Sequence, residues 1–330
     1  MAEPWSPLHL RLHRQLLRDP ALLPAGAPLL LAISGGQDSM ALLALLRDLQ
    51  RLHHWSLQLW HGDHGWRENS AEQARELRDW ARQQGLNLHL DRWLEPQTSE
   101  QAARHWRYGA LEATAHRCGI SHVVTAHTAN DRAETLLLQL ARGSHSRGLG
   151  SLRSRRPLSQ DENSPTLVRP LLGFTRQETG ELCQQAGLPI WIDPSNQDQR
   201  YSRNRLRATV MPVLEELHAG STLRISALAE RLAQQQDSSD QLVDLSLQTL
   251  STVLDSGRRI LRRRALMNLA PGNQRLLLHR WLQQQQATPS QADLIEGLLQ
   301  RLAPEQGPGR AQLGEQLWLC WDREQLWLER

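Results

Sequence analysis

Residues 28–46 read PLLLAISGGQDSMALLALL, and this stretch decides the fold. Residues 29–33 form an unbroken apolar run with the length of a strand buried on both faces, and the run stops at Ser34-Gly35-Gly36. Asp38 and Ser39 occupy positions where helix caps are favoured, and residues 40–46 then repeat apolar side chains at helical spacing. The pattern predicts a buried parallel strand, a glycine turn and a helix. Two glycines there let backbone amides converge on an anion, and the helix dipole adds positive potential. The expectation is a phosphate cradle.

The cradle is not of the Walker type, which requires a lysine: this chain has none, so all 38 of its Lys+Arg residues are arginine. The turn carries Asp38 instead, and a carboxylate would repel a triphosphate unless a divalent ion lay between them, so magnesium is expected. A lone Gly-Gly turn occurs in many parallel α/β sheets. The full S-G-G-x-D-S string, with Gln37 at the variable position, resembles the loop signature of the N-type ATP pyrophosphatases, which split ATP into AMP and pyrophosphate while adenylating an oxygen atom.

Working outward, 330 residues and 39% hydrophobic content allow two domains with ordinary cores. The longest apolar stretch, residues 21–33, is broken by Pro24, Gly26 and Pro28, well short of the roughly 20 residues a spanning helix needs. Ser6-Pro7 reads as a helix start rather than a secretory leader, and a cytoplasmic setting is expected. Cys118, Cys183 and Cys320 lie far apart, indicating neither zinc nor disulfides. Net charge is only +3, but arginines gather at 142–156, 200–207 and 258–264, which suits a phosphate-rich polymer although each cluster alone reads as a solvated face.

A second strand is expected at residues 55–61, ending in His61-Gly62-Asp63-His64-Gly65. A metal site there is the minority reading; a loop at the carboxyl end of such a strand is where an adenine would lie, which makes His61 a nucleotide contact. A helix over residues 70–84 and a third strand over 86–93 follow. A capping-box start at residues 98–101 opens another helix, on which Glu100, Arg104 and Arg107 share one face. That face is either a salt-bridge ladder or, with Arg104 and Arg107, a triphosphate clamp. The fourth strand, residues 121–126, leads to His127 and a helix from about Asn130 to a Gly143 stop. His127, Asp131 and Glu134 at this junction are helix caps or a proton acceptor and metal ligand beside the nucleotide.

Beyond the loop, HGDHGWR (61–67), EQAARHWRY (100–108), TAHTANDRAETLLLQLARG (125–143), VRPLL (168–172) and WIDPSNQDQRYSRNRLR (191–207) resemble, in the same order, the tRNA(Ile)-lysidine synthetases. The resemblance spans about the first two thirds of the chain. It departs at Asn130, where the family often has an aspartate, so the carboxylate function falls to Asp131, and at Asp63, whose role it leaves open. It implies a doubly wound, mostly parallel α/β domain of the PP-loop class at residues 1–213, with a helical connector and a small α+β tRNA-binding domain at 214–330. It further implies ATP and Mg2+ as cofactors, and tRNA(Ile) with a CAU anticodon and free L-lysine as substrates, with room for a homodimer. The implied reaction adenylates O2 of the wobble cytidine and then attaches lysine at C2. Ser34, Gly35, Gly36, Gln37, Ser39, His61 and His127 would bind the nucleotide and Asp38 the metal. Arg104 or Arg107 would meet charge at the α-phosphate, and Asp131 or Glu134 would take up the lysine ammonium. Arg169, Asp193, Asn196, Arg203, Arg205 and Arg207 would contact tRNA or substrate.

After residue 214 the sequence turns glutamine-rich and helical to about Leu250, followed by a small domain with an expected basic helix over residues 258–264 and strands within 311–320 and 326–328 around a turn at Asp322-Arg323. Of 12 tryptophans, Trp66 and Trp106 stand nearest the expected site as base-stacking candidates. The rival readings are a tRNA-thiolating enzyme, which normally uses paired cysteines, an amidating synthetase, which needs a second catalytic domain, and a non-catalytic tRNA-binding protein.

Overall fold

The computed structural model describes residues 5–65, 70–94, 99–144, 146–191, 199–255, 257–287 and 292–329. The chain divides into two compact units, Met1–Ala233 and Gln234–Arg330, C-terminal to position 213 where the composition changes.

The first unit is built on a six-stranded sheet in the order β3-β2-β1-β4-β6-β5. Its strands are β1 (Pro28–Ala32), β2 (Ser56–Asp63), β3 (Leu88–Arg92), β4 (His122–Val124), β5 (Arg155–Pro157) and β6 (Thr166–Val168). All neighbours pair in parallel except β5, which runs antiparallel along β6 at one edge. The intervening helices are α1 (Pro7–Arg18), α2 (Gln37–His53), α3 (Ser70–Gln83), α4 (Glu100–Cys118), α5 (Ala129–Ala141), the single turn α6 (Ser146–Leu149) and α7 (Arg176–Gln185).

The apolar run of β1 is central because it is buried on both faces: Leu29, Leu30 and Leu31 are each 0% exposed. Leu29 and Leu31 join the core containing α1 and α2 residues such as Leu12, Leu42 and Leu45, whereas Leu30 joins a second core with Trp60, Leu111, Val123 and Leu167. Successive side chains of a strand point to opposite faces, so this split is what a sheet sandwiched between helices requires. The chain proceeds from β1 outward through β2 and β3 and then returns to place β4 on the other side of β1. That reversal is a topological switch point, and it sets the β1–α2 and β4–α5 junctions side by side.

After α7 come α8 (Ser202–Arg205), a π-helical turn over Leu206–Val210, α9 (Met211–Leu217) and the 30-residue α10 (Ser221–Leu250), whose sequence contains the boundary between Ala233 and Gln234. No helix among the described residues is long and apolar enough to cross a membrane.

The second unit holds an antiparallel sheet in the order β7-β8-β11-β10-β9. Its strands are β7 (Ser251–Val253), β8 (Arg259–Arg262), β9 (Gly309–Gly314), β10 (Leu317–Trp321) and β11 (Gln325–Glu329). Helices α11 (Arg263–Met267), α12 (Pro271–Gln284) and α13 (Ala292–Arg301) supply Leu266, Leu278, Trp281 and Leu298 to its core. The basic helix expected over 258–264 is corrected here: Arg259–Arg262 is a strand, paired to β11 through Leu261–Leu326 and Ile260–Trp327, and only Arg263 starts a short helix. Ile260 and Leu261 face opposite sides of a sheet, and cross-strand pairing overrides the helix propensity of the arginines.

Candidate active site

The phosphate loop is shaped by its own hydroxyls. The Ser34 amide donates to Ser39 Oγ (3.2 Å), Ser39 Oγ donates to the Gly36 carbonyl (2.8 Å), and the Gly36 amide donates to Ser34 Oγ (3.3 Å). Gly35 sits at φ +80°, in the left-handed region that favours glycine, and a Cβ there would lie 3.1 Å from the Trp191 ring. Trp191 also donates its amide to the Gly35 carbonyl at 2.9 Å, so the loop is braced from outside. Gly36, rather than Asp38 or Ser39, is the N-cap of α2, which puts Asp38 in the first helical turn.

Three helix starts meet at this loop. The α5 N-cap is Thr128 and the α7 N-cap is Thr175, each in a capping box, closed by Asp131 and Glu178 respectively. Ala129 donates its amide to the Phe174 carbonyl (2.7 Å), Asn130 Oδ1 accepts the Arg176 amide (2.9 Å), and Gln37 Nε2 donates to the Arg176 carbonyl (2.7 Å). Asn130 thus ties α5 to α7, a link its amide makes without charge. With three positive helix ends joined, the region favours an anion.

Asp38 lies among these helix starts. Its Oδ1 accepts from Thr179 Oγ1 at 2.5 Å and its Oδ2 is 3.5 Å from Arg176 Nε. Burial pushes its carboxyl up, against the lowering influence of Arg176 and Thr179, and Asp131 adds repulsion. Asp131 spends Oδ2 on the Thr128 amide (2.8 Å) and hydroxyl (3.0 Å), while Oδ1 lies 3.6 Å from Arg207. Burial would raise its carboxyl, but His127, the Thr128 donors and Arg207 outweigh that and hold it down. Asp131 is therefore a helix cap, with its second oxygen turned to Arg207. Glu134 is 0% exposed and bound by both arms of Arg207, at 2.7 and 2.9 Å. Burial pushes its carboxyl up although Arg207 opposes this.

The arginines of the 203–207 run divide by helical spacing. Arg203 and Arg207, four apart, share the face turned to α5: Arg203 donates to Thr135 Oγ1 (3.1 Å) and lies 3.7 Å from Glu134. Arg205 stays exposed. Arg169 is only 1% exposed and donates to the Arg153 carbonyl at 2.8 Å, so it supports the interior of the site and offers no surface contact. It bonds the Tyr108 hydroxyl; burial alone would raise that phenol, but Arg169, Arg104 and Arg156 hold it below its usual range. Arg104 and Arg107 are both exposed on α4, Arg104 over the Tyr108 ring at 5.4 Å and Arg107 3.1 Å from His64 Nε2. Asp193, Asn196 and Trp66 lie outside the described residues, as does the side chain of Glu100.

His61 reaches across from β2 so that Nδ1 meets the Ile33 carbonyl at 2.8 Å, which leaves Nε2 as an acceptor at the loop; burial lowers its pKa. His127 bonds Thr125 through Nδ1 (3.0 Å), and burial together with Arg169 lowers its pKa to about 3, so it is neutral at pH 7. The residues of HGDHG do not gather as ligands: Asp63 accepts the Gly65 amide (2.9 Å), and His61 and His64 turn to separate partners. Trp106 is stacked on Trp93 (centroids 5.5 Å, planes 8° apart) and edged by His64. Arg176, Thr179 and Trp191 are the residues that sequence reasoning missed; each comes from far along the chain, and the Thr175–Glu178 capping box was the one local signal that a helix started there.

Among the described residues no three His, Cys, Asp or Glu side chains gather as metal ligands. Asp38 and Asp131 repel each other, and a divalent cation beside Asp38 would relieve that repulsion and the repulsion of a polyphosphate.

The sheet order, the glycine loop after β1 and the converging helix starts define a PP-loop protein, and residues 11–214 match the family model for the PP-loop domain, an ATP-binding family. The chain is 50% identical to a tRNA(Ile)-lysidine synthase of Parasynechococcus marenigrum, over 100% of this chain and 96% of the relative. It is 42% identical to one of Prochlorococcus marinus, over 98% and 96% respectively, and 47% identical to one of a Synechococcus species, over 92% and 90%. The chain belongs to the tRNA(Ile)-lysidine synthase family of tRNA-modifying ligases. Among solved structures, the U34-tRNA thiolase NcsA from Methanococcus maripaludis, with its [4Fe-4S] cluster, superposes with a TM-score of 0.59 at 16% identity, covering 69% of this chain and 78% of that one. That likeness is one of fold.

Proposed function

We propose that the protein ligates free L-lysine to C2 of the wobble cytidine of tRNA(Ile) bearing a CAU anticodon, through an adenylated cytidine, and that it does so in the cytoplasm. The observation that carries the reading is the full-length match to relatives named tRNA(Ile)-lysidine synthase, joined to a glycine loop whose Gln37 and Asp38 are hydrogen-bonded to Arg176 and Thr179 of α7.

In this reading the cytosine O2 attacks the α-phosphorus of ATP and pyrophosphate leaves. The lysine ε-amine then attacks C2 and AMP leaves. The Gly35 and Gly36 amides, the hydroxyls of Ser34 and Ser39 and the α2 dipole hold the leaving pyrophosphate. Arg176, already beside Asp38, supplies the cation that other phosphate loops take from lysine. Arg107, close to His64 and on the side of His61 and His127, meets charge at the α-phosphate more directly than Arg104, which is engaged over Tyr108. Magnesium, which Asp38 would hold, would screen the phosphate charge.

Asp131 is the lysine anchor we favour. Its Oδ1 has only the longer 3.6 Å approach of Arg207 and its depressed pKa keeps it anionic, whereas both oxygens of Glu134 are bound by Arg207. Lysine, with a reference pKa of about 10.4, must shed a proton before attack. Arg205 is left to meet the tRNA backbone.

The test is incubation of the purified protein with ATP, magnesium, labelled lysine and a CAU-anticodon tRNA(Ile) transcript, with a tRNA(Met) transcript as control. Incorporation into the first alone supports the proposal. Pyrophosphate release dependent on tRNA but without lysine incorporation refutes the assigned nucleophile.

A further inference from the structure

One side of α7 is fitted to the phosphate loop. Arg176, Thr179, Gly180 and Cys183 recur at the i, i+3, i+4 and i+7 spacing that lines a single helix face. Together they form a socket for Gln37 and Asp38, the latter 141 residues before Thr179 in the chain. The Arg176 carbonyl accepts Gln37 Nε2 at 2.7 Å, Thr179 Oγ1 accepts the same nitrogen at 3.3 Å, and Cys183 Sγ donates to the Gln37 carbonyl at 3.3 Å. A Cβ at Gly180 would already touch Gln37 Nε2, at 3.4 Å. With both amide protons committed, the Gln37 side chain is fixed in one orientation.

The Thr179 hydroxyl has a single proton to give. Its acceptors are Asp38 Oδ1 at 2.5 Å and the Arg176 carbonyl at 3.0 Å, one turn back on its own helix. The carboxylate is both the stronger acceptor and the nearer, so the proton goes to Asp38. Accepting from Gln37 while donating to Asp38 polarises the hydroxyl and strengthens the second bond. Thr179 is 0% exposed, which keeps bulk water from competing for that proton. The consequence falls on the other carboxylate oxygen. With Oδ1 held, Oδ2 stays 3.5 Å from Arg176 Nε, longer than a direct hydrogen bond.

We infer that Thr179 is a positioning residue for the reaction: its hydroxyl holds the Asp38 carboxylate turned so that Oδ2 meets the cation accompanying ATP instead of closing onto Arg176. The inference rests on the reading of Asp38 as the carboxylate beside a magnesium-bound polyphosphate. The same bond leaves the Arg176 guanidinium free for phosphate. Without the hydroxyl the carboxylate can turn onto Arg176, and magnesium must then break that pair to bind.

The test uses the full chain with Thr179→Val, which keeps a β-branched side chain and removes the donor, and Thr179→Ser, which restores the donor. A thermal melt checks folding, and Thr179→Ala is read in place of the valine variant should that one not fold. Calorimetric titration with a non-hydrolysable ATP analogue is run with magnesium and again in EDTA. With magnesium, Thr179→Val is expected to bind roughly tenfold more weakly, the scale of one hydrogen bond to a charged group, and Thr179→Ser to stay within about twofold of wild type. In EDTA most of the valine variant's loss is expected to vanish. In an Asp38→Asn background Thr179→Val should add no further loss, because both changes remove one interaction. Wild-type affinity with magnesium in the folded valine variant, beside a weakened Asp38→Asn, overturns the positioning role and leaves the reading of Asp38 intact. An equal loss with magnesium and in EDTA also overturns it, since Thr179 would then only staple α7 to the loop. Unchanged magnesium-dependent affinity in Asp38→Asn overturns both.

Discussion

Arg207 grips Glu134 with both arms of its guanidinium, closing a fully buried carboxylate at the start of α5 with a cation from the π-helical turn. Removing one partner strips the other of its two short bonds and leaves only a longer contact, Arg203 at 3.7 Å for Glu134 or Asp131 at 3.6 Å for Arg207, so Glu134→Ala or Arg207→Ala is expected to cost up to about 3–5 kcal/mol. The double variant should cost clearly less than the sum of the two. Urea unfolding of the four proteins measures this, and additive losses would show that the pair is not coupled.

Arg176 stands 3.5 Å from Asp38 at a site with no lysine. A charge-assisted hydrogen bond contributes about 1.5–3 kcal/mol, so Arg176→Ala should weaken ATP binding by roughly 10- to 150-fold while tRNA binding holds. Arg176→Lys should recover part of this. Calorimetric titration with a non-hydrolysable ATP analogue reads it directly, and unchanged affinity for the Ala variant would remove Arg176 from the phosphate site.

Gly35→Ala combines a left-handed backbone with a Cβ tight against Trp191. The backbone alone costs about 1–2 kcal/mol. Because the strain falls in the phosphate loop, the expected result is a rise in KM for ATP larger than the fall in melting temperature would suggest. Gly26→Ala, also left-handed but with open space around it, is the control: it should melt earlier and keep its KM.

His53 at the end of α2 is stacked on Trp55 (centroids 4.3 Å) and lies 3.1 Å from His13 of α1. Burial lowers its pKa below 6.5, with the neighbouring histidines adding to the effect. For a group with a depressed folded pKa, the stability it contributes is complete above the unfolded value and is lost as pH falls. Between pH 7 and 5 the melting temperature should therefore drop, and His53→Gln should flatten that dependence. Equal slopes for both proteins would exclude His53 as the cause.

What could be read in advance follows from what is local. The run at residues 29–33 and the glycines after it announce a buried strand and an anion loop, because burial on both faces and a φ above zero leave their marks on adjacent residues. The adjacency of His127 and Asp131 to that loop needed only the parallel sheet. Arg203 and Arg207 looked like a surface stripe until tertiary structure supplied Glu134 as their partner. Arg169, buried to 1%, is similar: nothing around it in sequence distinguishes a cation headed inward from one headed to solvent. Residues 258–264 misled for the opposite reason, since a run of arginines has good helix propensity and the strand depends on β11, far downstream.

The three joined helix starts mean that the anion site is an assembly of segments with separate local stabilities. Any one of them fraying would open the site, so its occupancy is limited by the least stable of the three. Bound nucleotide would in turn slow amide exchange not at the glycine loop alone but together at residues 128–131 and 175–178, stretches that no single turn of chain connects.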